Sequence, residues 1–138
     1  MGLERFKQAQ EQDYATALSE IKNGRKRSHW MWYIFPQLDG LGRSKTSRFY
    51  AIKNVNEAQT YLDHPVLGRH LIEICNELLK LPENNATSIF GYPDDLKLRS
   101  SVTLFASLSD SNAVFQQVLD KFFDGEADEQ TLSLVGRH

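Results

Sequence analysis

The sequence predicts a single, mainly α-helical domain of about six or seven helices, with little or no sheet. Apolar residues recur at spacings of three and four within residues 67–81 and again within 112–123, which is the period of one helix face. Asn and Asp residues, which commonly cap helices, precede several of these segments. No repeat or linker divides the chain, so we expect one compact domain over residues 1–138.

The N-terminal segment, residues 3–23, is predicted to be helical in one or two pieces. Asp13 is a candidate N-cap for a second piece, and Leu18 and Ile21 supply apolar contacts. Gly24 stands where this helix should end, because glycine readily adopts the left-handed conformation that closes a helix C-terminus.

The aromatic run over residues 30–35 allows two interpretations. Ser28 is a candidate cap for a short helix over residues 29–33, which Pro36 would end by restricting the residue before it to extended conformations. A buried strand is the alternative, because a short apolar run does not reveal its period. The next stretch, residues 44–52, is ambiguous.

The clearest helix lies in the middle of the chain. Asn54 or Asn56 is predicted to cap a helix that ends at Asp63, and Pro65 fits the first turn of the helix that follows. That following helix, residues 67–81, carries the longest apolar stripe, so we predict that it is the core helix.

Helix and strand periods compete within residues 96–108. Alternate residues are apolar, as in a strand, but Leu98 and Val102 also belong to a helical stripe. We predict a helix, because thirteen residues is long for a strand and the pair Asp94 and Asp95 favours a helix start.

The remaining elements are shorter helices. Residues 88–91 are predicted to form one helical turn, and residues 112–123 a helix that ends before Gly125. Asp128 or Thr131 is predicted to begin a last short helix.

Composition limits the classes of function. A net charge of −2 and a pI of about 6.1 argue against a general nucleic-acid-binding domain, which is usually strongly basic. Cys75 is the only cysteine, and His64 and His70 are poorly spaced as ligands, so we expect no metal and no cofactor. No signal-peptide core and no run of about 18 apolar residues is present, so we expect a cytoplasmic protein without a membrane partner.

Basic and aromatic residues concentrate in residues 25–53. This segment holds seven of the 16 basic residues, one of the 18 acidic residues and both tryptophans. Patches of one sign beside aromatic rings usually face an anionic ligand. The candidate ligand-binding residues in the segment are Lys26, Ser28, Trp30, Trp32, Gln37, Arg43, Ser44, Lys45, Ser47 and Tyr50.

The residue types suggest which part of a ligand each of these side chains would contact. Lys26, Arg43 and Lys45 are candidates for neutralising phosphate, and nearby serine hydroxyls for donating hydrogen bonds to it. Trp30 or Trp32 would stack on a planar ring, as aromatic side chains stack on bases. The competing interpretation places both rings in the core, where such side chains more often lie.

A second polar cluster lies in the second half of the chain. Lys97, Ser100 and Ser101 are candidate ligand contacts, since Lys97 and Ser101 would share one helix face and Ser100 interrupts an apolar pattern. His29 and Asp95 are the candidate catalytic residues, as proton carriers. Structural roles compete here too, as a hydrogen-bonded His29 beside the tryptophans and as a helix cap at Asp95.

Five ordered blocks of sequence resemble one known family. They are Gly24-Arg-Lys-x-Ser-His-Trp-x-Trp-Tyr-x-Phe-Pro-Gln37, Gly40-Leu-Gly-x-Ser44, His64-Pro-x-Leu-Gly68, Phe90-Gly-x-x-Asp-x-x-Lys-Leu-x-Ser-Ser-x-Thr-Leu-Phe105 and Val118-Leu-Asp-x-Phe-Phe-Asp-Gly125. Together, over residues 14–134, they resemble the domain-of-unknown-function family DUF1810. The resemblance implies a compact, mainly α-helical single domain and supports the helix over residues 96–108. Some members carry the label calpastatin, which we do not transfer, because calpastatin-type inhibitors are flexible repeats.

Two functional hypotheses follow. The first is a pocket for a phosphorylated or nucleotide-like small molecule, formed where residues 26–50 meet residues 97–101, with an ADP-ribose-type or other nucleotide hydrolase as its enzymatic form. The second is a non-enzymatic module that binds RNA or a protein through a flat, exposed array within residues 25–53. A pocket that joins the two polar segments would favour the first. The sequence alone does not decide whether the protein is an enzyme.

Overall fold

The structure, a computed structural model, describes residues 2–136 and forms nine helices in that range. They are α1 (Glu4–Lys22), α2 (Met31–Ile34), α3 (Lys45–Phe49), α4 (Val55–Asp63), α5 (Leu67–Lys80), α6 (Ala86–Phe90), α7 (Asp94–Ala106), α8 (Ala113–Phe123) and α9 (Glu129–Val135). The same residues contain no strand, and Leu38 and Ile52 form one isolated parallel bridge. The mainly α-helical prediction is confirmed, and the helix count is slightly above the predicted six or seven. The single turn predicted over residues 88–91 is α6, whereas α3 lies in the stretch whose sequence is ambiguous.

Helix α1 is continuous, so the predicted second start at Asp13 is wrong. Asp13 lies in the middle of the helix, and its carboxylate accepts a hydrogen bond from the Tyr33 hydroxyl. The buried face of α1 includes Phe6 and Ile21. Gly24 follows the helix with a φ of +80°, the left-handed conformation that the sequence predicted at this end.

The aromatic run forms the single turn α2, which excludes the strand interpretation. Its N-cap is Trp30, and Ser28 does not cap it. The Ser28 hydroxyl instead donates to the Glu20 carboxylate at 2.5 Å, which also accepts the Trp30 indole N–H at 2.9 Å. The backbone N–H groups of Arg27 and Ser28 donate to the same carboxylate at 2.7 and 2.9 Å. Glu20 therefore fastens the loop before α2 to helix α1.

Side-chain caps define the two helices that follow. The ambiguous stretch forms α3, whose N-cap Ser44 accepts the Ser47 backbone N–H at 3.1 Å through its side-chain oxygen. In α4 the cap is Asn54, which accepts the Glu57 N–H at 2.9 Å, so Asn56 is not the cap. Both caps satisfy backbone donors that a helix start leaves without a partner.

Helix α5 forms the centre of the core, as its stripe predicted. It packs against α1, α4 and α8. Pro65 lies before the helix and not in its first turn, because α5 begins at Leu67. Its second residue, Gly68, is buried against the backbone of Leu62, where α4 ends. The buried side chains of the stripe are Leu67, Leu71, Ile74, Cys75 and Leu78.

Helix α7 is buried over most of its circumference, because α4, α6, α8 and α9 all pack against it. Because most of its positions are buried, α7 lacks the continuous polar face that would reveal a helical period, which explains why its sequence resembles a strand as well as a helix. The helix begins at Asp94 after Pro93, and neither aspartate is its N-cap. The Asp95 carboxylate instead accepts the Thr87 hydroxyl at 2.6 Å, which joins α7 to α6.

Helices α8 and α9 begin at the predicted caps, Asn112 and Asp128. Asp124 and Gly125 follow α8 with φ values of 54° and 78°, so two left-handed residues reverse the chain towards α9. The Asp128 side chain accepts the Thr131 N–H at 3.0 Å and places α9 against α7.

Residues 2–136 contain neither a membrane-spanning helix nor a metal-binding cluster. No helix in that range has the length and apolar character needed to cross a membrane. The same range contains no cluster of three or more His, Cys, Asp or Glu side chains arranged to hold a metal ion.

Candidate functional site

The start of α7 lies directly against the basic and aromatic segment. The Lys26 ammonium, from the loop before α2, forms an ion pair with Asp94 at 2.9 Å. The other carboxylate oxygen of Asp94 pairs with Lys97 at 2.9 Å, one turn further along α7. The Lys26 backbone N–H also donates to the Ile89 carbonyl at 2.8 Å, which ties the loop to α6. The two polar segments that the sequence singled out therefore meet at Asp94.

Two lysines share the single Asp94 carboxylate. The side chains of Lys26 and Lys97 are only 8% and 21% exposed. Burial acts to raise the pKa of Asp94, but the hydrogen bonds and charges of Lys97 and Lys26 outweigh it and lower that pKa. Because the ionised carboxylate balances only one of the ammonium groups, one positive charge remains at a partly buried position.

Trp32 and Lys97 form the wall between two open clefts. The Lys97 ammonium lies 4.1 Å from the centre of the Trp32 ring. On one side is the His29 cleft, about 250 Å³ in volume, and on the other the Ser100 cleft of about the same volume. Besides Trp32 and Lys97, the His29 cleft is lined by Lys26, His29, Thr46 and Asp94, among others. The Ser100 cleft is lined by Gln37, Gly42, Arg99 and Ser100, among others.

The two tryptophans lie in different surroundings. Trp30 is 1% exposed, donates to Glu20 and packs against Phe35 and Phe90 in the core. Trp32 is half-buried and lines both clefts. Trp30 also borders the His29 cleft, but almost none of its surface is exposed, so Trp32 is the more accessible of the two candidate stacking rings.

The two candidate proton carriers, His29 and Asp95, differ in their exposure and contacts. The His29 side chain is exposed and lines the cleft named after it. Asp95 is buried, and its two carboxylate oxygens accept the Thr87 hydroxyl at 2.6 Å and the Leu96 N–H at 2.9 Å. Asp95 lines neither cleft, so its contacts are those of a residue that joins two helices.

The residues predicted to cradle phosphate do not converge on one point. Arg43 and Lys45 are exposed and line neither cleft. The Ser44 side chain caps α3, and the buried Ser47 hydroxyl donates to the Ser44 carbonyl at 2.9 Å. Tyr50 is half-buried among other aromatic rings. The hydrogen bonds of Ser44 and Ser47 are therefore made to each other, at the start of α3.

A small internal cavity lies beside Trp32. Its volume is about 10 Å³, and Gln37, Ser47 and Tyr50 line it together with Trp32. That volume is close to the space needed by one water molecule. Trp32 and Gln37 also line the Ser100 cleft, so they are the members of this group that a ligand in that cleft would reach.

Adjacent serines on α7 have opposite surroundings. The Ser100 hydroxyl lies 3.1 Å from the Leu96 carbonyl oxygen and 3.3 Å from an Asp128 carboxylate oxygen, and it lines a cleft. The Ser101 hydroxyl is fully buried and has no hydrogen-bond partner among residues 2–136. A buried hydroxyl without a partner costs roughly 1–3 kcal/mol.

The two serines give a matched stability test. Both Ser→Ala changes gain the same helix propensity of about 0.5 kcal/mol, so their difference reports the hydroxyl. We expect Ser101→Ala to be more stable than Ser100→Ala by about 1–2 kcal/mol, measured by urea unfolding. Equal stabilities would show that the Ser101 hydroxyl has a partner in solution.

Two residues that shape the candidate site escaped the sequence analysis. Asp94 was interpreted as a helix cap one turn before Lys97, and the ion pair that this spacing of three indicates was not predicted. Glu20 carries no such local signal, because its partners Ser28 and Trp30 reach it only through the fold. Lys26 and Ser28 are consequently engaged with protein partners, at Asp94 and Glu20.

A family model and a solved structure both match nearly the whole chain. The family described as "Protein of unknown function (DUF1810)" matches residues 1–135. The crystal structure of the conserved hypothetical protein Rv1873 from Mycobacterium tuberculosis is similar, with 44% identity and a TM-score of 0.94. That match covers 97% of this chain and 96% of the other. No curated protein matches this chain.

Proposed function

We propose that this chain, which belongs to the DUF1810 family, binds a phosphorylated or nucleotide-like small molecule. The binding site would be the wall of Trp32 and Lys97 together with the clefts on either side of it. The observation that carries the proposal is the Asp94 carboxylate shared by two largely buried lysines. A phosphate beside Lys97 would balance the remaining positive charge.

Lys97 is the cation best placed to receive the anion. An ammonium has three N–H donors, and Lys97 uses one of them on Asp94. Lys26 is more fully engaged, because it donates to the Ser28 carbonyl at 2.5 Å as well as pairing with Asp94. Charge-assisted hydrogen bonds to phosphate are the strong kind, so the free donors of Lys97 favour a phosphoryl group at this point.

Trp32 supports a ligand that carries a planar ring. The cation–π contact between Lys97 and Trp32 is worth about 0.5–1 kcal/mol near the surface, whereas a hydrogen bond to a charged group contributes about 1.5–3 kcal/mol. An incoming phosphate therefore draws the ammonium away from the ring and leaves the ring face free for stacking. Gln37 and Ser100 add an amide and a hydroxyl that can orient the ring in the Ser100 cleft.

The clefts suit a small molecule in size. Each has a volume of about 250 Å³, and they share Trp32 and Lys97. Together they fall in the usual range for small-molecule sites, about 300–1,000 Å³. A ligand of nucleotide size would fill one cleft and extend past the wall into the other.

Hydrolysis of the bound molecule is the enzymatic form of the proposal, with His29 as its proton carrier. Its imidazole is exposed in the cleft that Lys97 also lines, and histidine is the side chain that most often acts as a general acid or base. The engaged carboxylate of Asp95 makes that residue the weaker candidate. We expect His29→Gln to retain binding and to lose turnover, as measured by chromatography of the products.

Thermal-shift screening against nucleotides, ADP-ribose, NAD and sugar phosphates tests the binding proposal. A ligand at 100 times its Kd adds about 2.7 kcal/mol of stability, which corresponds to a rise in Tm on the order of 8 °C. We expect such a shift with at least one compound, and we expect Lys97→Met to abolish it. Met preserves the length of the side chain, and the variant leaves the ion pair between Lys26 and Asp94 intact.

Lys80→Met is the matched control. Lys80 pairs with Glu77 at 2.9 Å and at the same spacing of three, but on α5 and in an exposed position. This variant is expected to keep the full ligand shift. A shift that Lys97→Met retains would move the site elsewhere, and the absence of a shift with every compound would exclude this ligand class.

A further inference from the structure

Helix α3 presents an aromatic ring to solvent. Phe49 is 59% exposed and makes an edge-on contact with Tyr50, with ring centres 4.8 Å apart. The ring stands between two open hollows of about 490 and 420 Å³. Arg48 and Lys53 line the first hollow, and Arg5 lines both. A flat apolar surface is thus held among cations.

Four cations of the segment that contains this ring lack anionic partners, whereas Arg5 pairs with Glu57 at 3.0 Å. Residues 40–53 contain four basic residues and no acidic residue, and all four basic side chains are exposed. Within residues 2–136, none of the four forms an ion pair or a side-chain hydrogen bond. By contrast, six of the eight described basic residues outside the segment 25–53 do. The four are Arg43, Lys45, Arg48 and Lys53.

One carboxylate and two side-chain amides also line the two hollows beside Phe49. Asp39 lines the first hollow and offsets part of its positive charge. Gln8 and Gln12, from α1, line the second hollow. Each amide offers both donors and an acceptor, which is the complement of a base edge.

From this arrangement we infer that the surface around Phe49 binds single-stranded nucleic acid. Stacking of a base on the Phe49 ring and pairing of phosphates with Arg48 and Lys53 are the two contacts that sequence-tolerant single-strand binding requires. An acidic peptide would engage the cations but would leave the ring without a flat partner. A duplex would offer phosphates, but its bases are already stacked on each other.

This surface is separate from the clefts beside Trp32. Neither Phe49 nor Arg48 lines the His29 cleft or the Ser100 cleft. The inference therefore does not depend on the small-molecule proposal, and each can fail without the other. Because both side chains are exposed, their replacement is expected to leave the fold intact.

Fluorescence anisotropy with labelled 12-nucleotide RNA and DNA strands tests the inference. At 50 mM salt we expect binding of a single strand, and we expect Phe49→Ala to weaken it roughly 5- to 150-fold, as for loss of one stacked base. Arg48→Gln is expected to weaken binding and to reduce the slope of log K against log salt by about 1. The RNA and DNA strands, measured in parallel, show which sugar is preferred.

Two control variants distinguish binding at this surface from general electrostatic attraction. Arg69→Gln removes an exposed cation of α5, and Leu132→Ala removes an exposed apolar side chain of α9. Both are expected to bind as the unchanged protein does. Absence of binding at 50 mM salt would overturn the inference. The inference would also be overturned if duplex or inorganic polyphosphate displaced the labelled strand as well as an unlabelled single strand does, and if Phe49→Ala had no effect on binding. Those two results together would show attraction by charge alone.

Discussion

Replacement of Gly68 by alanine is expected to destabilise the fold by at least about 3 kcal/mol. A Cβ atom on Gly68 would lie 1.8 Å from the Leu62 carbonyl oxygen and 2.7 Å from its carbonyl carbon. Both are backbone atoms, so no side chain can move aside to relieve the overlap. Helices α4 and α5 would have to separate, which exposes Leu62 and Leu67 at their junction.

Gly24→Ala is the matched control for this change. Gly24 has a φ of +80°, but a Cβ atom there would meet nothing within 4 Å. Its cost is that of the left-handed backbone alone, about 1–2 kcal/mol. Urea unfolding of the two variants measures the difference. If Gly68→Ala is no less stable than Gly24→Ala, the close approach of α4 and α5 is not needed for the fold.

The long helices were predictable because their signals are local. The stripe of α5 follows from spacing alone, and the caps Asn112 and Asp128 start α8 and α9 as predicted. The short helices were less predictable, since a single turn is stabilised by its neighbours more than by its own propensity. The turn of α6 was predicted, but α2 competed with a strand and the sequence of α3 was ambiguous. In α2, for example, the cap is Trp30, a residue that offers no side-chain acceptor.

The candidate site was predictable as a segment but not residue by residue. Charge and aromatic content placed it within residues 25–53, and Lys97 was identified as the partner in the second half of the chain. Trp30 and Trp32 are equivalent in a pattern of residue types, and only the fold buries Trp30 while it leaves Trp32 partly exposed between the two clefts. The sharing of Asp94 by two lysines likewise depends on a contact between distant parts of the chain.

Replacement of Glu20 by glutamine is expected to cost about 2–3 kcal/mol, although the two side chains have nearly the same shape. The carboxylate accepts the Ser28 hydroxyl, the Trp30 indole N–H and two backbone N–H groups. An amide keeps one oxygen and turns an NH2 group towards those donors. The Trp30 N–H, which is buried, then loses a charged acceptor.

The same contacts predict how the effect of Glu20→Gln depends on pH. Burial acts to raise the pKa of Glu20, but the hydrogen bonds from Ser28, the Arg27 backbone and Trp30 lower it to about 2, from an ordinary value of 4.5. A carboxyl whose pKa is lower in the folded state stabilises the fold above its ordinary pKa, and this contribution is lost as the pH falls towards 2. The difference in unfolding free energy between the unchanged protein and Glu20→Gln should therefore be full at pH 6 and shrink between pH 4.5 and 2. Glu11→Gln, an exposed residue of the same helix, is expected to show neither the loss nor the pH dependence, and equal behaviour of the two variants would show that the carboxylate does not anchor the loop.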